Sequence, residues 1–76
     1  MSVDYEIVCL DENGGISRAI RGMYNGLGGA MSVAAARAPA HCSRVVFCAV
    51  ETNSVVWEGS REEMLDAAGA AKAAAA

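Results

Sequence analysis

The sequence predicts an α+β fold: a four-stranded antiparallel sheet in the order β-β-α-β-β, the central helix on one face and a short helix at the C-terminus. Three observations lead there. Residues 3–10 alternate in polarity and run into the turn signal Asn13-Gly14. Residues 44–58 hold two β-rich runs around a polar turn, with the only Phe and the only Trp of the chain. Between these hairpins lies an alanine-rich stretch that ends at Pro39.

Each element has its own reason. In the first strand, Tyr5, Ile7 and Cys9 alternate with Asp4 and Glu6, a period of two. Asp11-Glu12-Asn13-Gly14-Gly15 is a turn, because Asn-Gly accepts the positive φ of tight hairpins. Residues 16–24 fit two patterns. As a strand, Ile16, Arg18, Ile20, Gly22 and Tyr24 share a face; as a helix, Ile16, Ile20, Met23, Tyr24 and Leu27 form a stripe. The turn calls for a partner strand and Gly22 weakens a helix interior, so strand is the reading adopted.

Asn25 is a suitable N-cap for a helix reaching Ala38, with Leu27, Ala30, Met31, Ala34 and Ala38 along one side. Pro39 stops it. The third strand is expected over 44–50, a turn over 51–54, and the fourth strand over 55–58, with Gly59 ending it. Ser60 followed by Glu63 is a capping box, so the last helix starts near Arg61. Residues 1–66 are read as one compact domain and 67–76 as an alanine-rich tail, helical or frayed, in which the last residues fray.

Alternation also assigns faces. Tyr5, Ile7, Cys9, Val55 and Trp57 are expected toward the central helix; Val8, Leu10, Val56 and one apolar row of the third strand are expected on the other face. Asp4, Glu6, Glu51 and Glu58 frame that second face. An uncovered apolar patch with a charged rim marks an interface. The alternative is that the last helix folds over it through Met64, Leu65 and Ala68.

Composition bounds the function. A chain of 76 residues buries only roughly 60% of its unfolded surface, and much of its 54% apolar content is alanine. A homodimer is one way to cover the rest. A net charge of −3 argues against direct nucleic-acid binding, which needs clustered Lys and Arg, and suits a basic protein partner. No stretch is long and apolar enough for a membrane span. Three cysteines, Cys9, Cys42 and Cys48, are an odd number without framework spacing. With no signal-peptide pattern at the start, they lead to the expectation of a reducing cytoplasm.

Candidate chemistry is thin. His41 and Cys42 are adjacent with Cys48 near, but a zinc site wants about four ligands and a Cys–His nucleophile wants an orienting group. Gly26-Leu27-Gly28-Gly29 before a helix lacks the Lys-Ser/Thr ending of a phosphate loop. Asp11-Glu12 and Glu62-Glu63 are explained by a turn and a helix start. The expectation is a non-enzymatic protein without metal or cofactor.

The strand pair with its Asn13-Gly14 turn, the helix Ala30-Met31-Ser32-Val33-Ala34-Ala35-Ala36-Arg37-Ala38 and the hairpin Val45-Val46-Phe47 to Val55-Val56-Trp57 together resemble small proteins of phages and mobile elements. In particular the layout and length are similar to anti-CRISPR inhibitors of type I surveillance complexes, over about residues 4–58. Those proteins share no motif, so no residue role carries over. The resemblance implies a stoichiometric inhibitor in the cytoplasm of a host bacterial cell, docking on Cas subunits of a type I complex (subtypes I-C and I-F are candidates) and blocking target DNA. Taken from the sheet faces and the acidic clustering, the expected partner-binding residues are Asp4, Glu6, Asp11, Glu12, Glu51, Glu58 and Val56. The alternative is a homodimeric adaptor or antitoxin-like module that pairs through its sheet.

Overall fold

Alternating polarity and two tight turns build the sheet. The computed structural model describes residues 2–37 and 41–75. Its elements are β1 (Val3–Leu10), β2 (Ile16–Tyr24), α1 (Leu27–Arg37), β3 (Arg44–Ala49), β4 (Ser54–Ser60) and α2 (Arg61–Ala75). The fold is α+β, with a four-stranded antiparallel sheet in the order β2-β1-β3-β4. Residues 16–24 form a strand, as the hairpin turn demands.

The β1–β2 turn is held by its own side chain. Asp11 Oδ1 accepts the backbone N–H groups of Asn13 and Gly15, each at 2.9 Å. Gly14, at φ +81°, takes the left-handed conformation that the turn requires. In the β3–β4 turn Asn53 does the same at φ +52°, a conformation Asn tolerates well.

Both helices lie on one side of the sheet. Tyr5, Ile7 and Cys9 of β1 and Val45 and Phe47 of β3 point into a core closed by Ala30, Met31 and Ala34 of α1 and by Met64 and Ala68 of α2. Phe47 and Trp57, register partners on β3 and β4, meet edge to face with centroids 5.7 Å apart. Tyr5 and Tyr24 stack at 6.4 Å. The last helix does not fold over the opposite face. Met64, fully buried, and Ala68 commit it to the same layer as α1.

Several local expectations change. Gly26 takes the helix-start position expected of Asn25: its carbonyl accepts from Ala30 N–H at 3.2 Å, and its φ of +122° suits glycine. Gly59 does not end the fourth strand. It pairs with Val45, and β4 continues to Ser60. The capping box forms as expected: Glu63 N–H donates to Ser60 Oγ at 3.1 Å and Ser60 N–H donates to Glu63 Oε1 at 2.9 Å. α2 is helical from Arg61 to Ala75. Ala68 anchors it in the core and alanine is the best helix former. Ala38 and Pro39, the expected helix stop, lie outside the described residues.

Two bulges matter most. Cys9 pairs with Arg18 but Leu10 pairs with Ile16, leaving Ser17 as an extra residue in β2. Phe47 pairs with Trp57 but Cys48 pairs with Val55, leaving Val56 as an extra residue in β4. Each bulge breaks the period of two. Val55, expected toward the helix, therefore lies opposite Cys48 and is 58% exposed. Ile16, expected on the face of Arg18 and Ile20, lies opposite Leu10 and is 70% exposed.

Candidate functional site: the open face of the sheet

With both helices on one side, the other side of the sheet stands bare. Its side chains follow from the register. One row across the strands reads Ile16, Leu10, Arg44, Ser60; the next reads Ala19, Val8, Val46, Glu58; the third reads Arg21, Glu6, Cys48, Val55. Met23 and Asp4 form the lower edge, and Val56 sits exposed in its bulge beside Val55.

The apolar part is larger than alternation alone suggests. Val8, Leu10, Val46 and Cys48 are half-buried, and Ile16, Met23, Val55 and Val56 are, among the described residues, the large apolar side chains most open to solvent. Clustered apolar surface of this kind is unusual unless something covers it. Sequence reasoning found Val8, Leu10 and Val56 and missed Ile16, Met23 and Val55. The signal for the two bulged strands was faint: Ser17 and Val56 look like ordinary strand residues.

The charged residues are arranged differently from a simple acidic rim. Asp4 Oδ2 accepts from Arg21 at 2.9 Å, and Glu58 Oε1 accepts from Arg44 at 2.8 Å. The hydrogen bond to Asp4 and its negative charge, with Glu6 adding to the field, raise the Arg21 guanidinium's pKa above its ordinary value. Exposed pairs of this kind contribute little to folding, but they cancel charge locally. Asp4 and Glu58 are therefore not free acidic groups. Glu6 lies between Arg21 and Cys48 on the face. Asp11, Glu12 and Glu51 sit in the two hairpin turns, away from the centre of the face, and Asp11 is occupied by its own turn.

The remaining candidates are scattered. His41 is exposed, whereas Cys42 is buried and its thiol donates to Arg44 O at 3.5 Å. Cys9 is buried beside Cys42. Burial first, then the contact with Cys42, pushes its thiol pKa up to about 12, so it stays protonated at neutral pH. Among the described residues no three His, Cys, Asp or Glu side chains gather as metal ligands. On the helical side, an open groove between α1 and α2 is lined by Ser32, Ala35, Leu65, Ala68 and Gly69 and offers few polar groups. Among the described residues no helix is long and apolar enough to cross a membrane.

Comparison of the chain with protein-family models, curated proteins and solved structures returned no match.

Proposed function

We propose that this chain is a non-enzymatic binding protein that works through the open face of its sheet. The observation that carries this reading is the bare face itself. Four strands present Val8, Leu10, Val46 and the exposed Ile16, Val55 and Val56 to solvent, while both helices are spent on the other side.

The narrower form of the proposal comes from the anti-CRISPR resemblance: a stoichiometric inhibitor that docks on Cas subunits of a type I surveillance complex and blocks target DNA. The ion pairs at Asp4 and Glu58 shift its expected mode of action. Apolar contact would supply most of the affinity, with Glu6, Glu12 and Glu51 as the acidic groups left to meet basic side chains. The test is to titrate the protein into type I complexes of several subtypes and measure target-DNA affinity, with wild type and Val8→Lys side by side. Loss of DNA binding with wild type, absent with Val8→Lys, supports both parts. Unchanged DNA affinity in every subtype removes the inhibitor form. Inhibition by both proteins alike removes the open face as its surface.

A further inference from the structure

We propose that the open face is a homodimer interface, on which a second copy packs with its strands crossing steeply over those of the first. The inference rests on the reading of that face as a binding surface, and it names a second copy, in place of the Cas subunits of the narrower reading, as the occupant.

Charge on the face is confined mainly to two ion pairs. Asp4–Arg21 occupies one corner of the face, at the β1–β2 end near the lower edge. Arg44–Glu58 occupies the diagonally opposite corner, at the β3–β4 end near the top. The other two corners are apolar: Ile16 with Leu10, and Val55 with Val56. Such a face is complementary to itself. A two-fold axis in the plane of the interface, running between the ion-paired corners, lays each Ile16–Leu10 corner on the partner's Val55–Val56 corner. The same rotation carries Arg44 toward Glu58 of the second copy and Arg21 toward Asp4 of the second copy. Val46 falls on the axis and meets its own equivalent. An isologous contact demands this kind of self-match.

The strands of β-sheets spaced ~4.8 Å apart, with same-face residues ~6.8 Å apart along each strand, place that diagonal ~35° from the strand direction. The two sheets then cross at roughly 70°, toward the orthogonal class of sheet packing. Size agrees. The broad side of the molecule, 34 × 27 Å, is large enough for a standard interface of about 800 Å² per partner.

A second copy fits better than a strongly charged partner. Two arginines and three acids, Asp4, Glu6 and Glu58, leave the face close to neutral, so neither a basic nor an acidic surface finds an unbalanced field. Glu6 is the one discordant group. It lies near the axis, facing its own equivalent, with Arg21 beside it on each copy. Replacing it with Gln removes a like-charge contact.

The test uses the full chain in sedimentation equilibrium over a wide concentration range. Wild type is expected to be a dimer that dissociates on dilution, Glu6→Gln a tighter one, and Val46→Glu a monomer with unchanged circular dichroism. Arg44→Glu alone and Glu58→Arg alone are each expected to dimerise at least tenfold more weakly. Their equimolar mixture is expected to regain dimer, because Glu and Arg then face each other only between chains and never within one. A wild type that is monomeric at every concentration overturns the dimer and leaves the open-face reading to the DNA-binding test above. A dimer indifferent to Val46→Glu places the contact elsewhere, and a mixture that stays monomeric overturns the diagonal arrangement.

Discussion

Gly59 lies under the indole of Trp57: a Cβ on Gly59 would stand 2.7 Å from Cη2 of the ring. The two residues are on the core side of β4, and the indole in turn meets the edge of Phe47. The backbone at Gly59 has an ordinary strand conformation, so the requirement for glycine here is steric. The tightness of this contact holds the Trp57 ring in place over the end of the core.

Gly59→Ala is therefore expected to cost about 1–3 kcal/mol, the usual penalty for forcing an atom into a packed site. Denaturant unfolding followed by Trp57 fluorescence measures it, and the native emission should shift as the ring is displaced. An unchanged midpoint would mean that the indole moves aside freely.

The capping box gives a pH-dependent prediction. The backbone N–H of Ser60, then its hydroxyl, hold the Glu63 carboxyl pKa below its ordinary value. A lowered native pKa means that the unfolded chain takes up the proton first as pH falls. The contribution is complete above the ordinary Glu range and is lost as pH drops through the lowered value. Thermal unfolding of wild type and Glu63→Gln from pH 7 to pH 3 should show a gap at neutral pH that closes in acid. Ser60→Ala should cost about 1 kcal/mol at neutral pH.

Asp11 separates folding from association. Its carboxylate accepts two backbone N–H groups of the β1–β2 turn, so Asp11→Ala should lower stability by about 1 kcal/mol. Because that carboxylate is engaged by its own turn and lies outside the rows of side chains on the open face, the same variant should sediment like wild type at equal concentration. A change in association without a change in stability would return Asp11 to the list of contact residues.

The thiols should differ in reactivity. Cys9 and Cys42 are buried and Cys48 is half-buried on the open face. In dilute native protein at pH 8, Cys48 should react with a thiol reagent well before the other two, and all three should react once the chain unfolds; peptide mapping identifies them. The Cys9 pKa, raised by burial from an ordinary 9.0 to about 12, also sets a sign. The folded state keeps a proton that the unfolded state releases, so this contribution is present below pH 9 and is lost as pH rises from about 9 toward 12. The alkaline loss of stability should be shallower in Cys9→Ala than in wild type.

What the chain determines by itself is written in short-range signals. Asn13-Gly14 makes a turn because glycine reaches positive φ, Ser60 and Glu63 cap a helix because they lie three residues apart, and alternation in Val3–Leu10 makes a strand. Each of these needs only a few neighbouring residues, and each is present where the sequence places it. The sheet order β2-β1-β3-β4, the side taken by α2 and the two bulges were decided by tertiary structure. Met64 could have covered either face on local grounds, and only the space beside Ala30, Met31 and Ala34 draws it to one of them. An extra residue at Ser17 or Val56 leaves no trace in a local pattern, because a bulge is a mismatch between two strands distant in sequence. That mismatch turns Ile16 and Val55 outward, and with them it makes the open face.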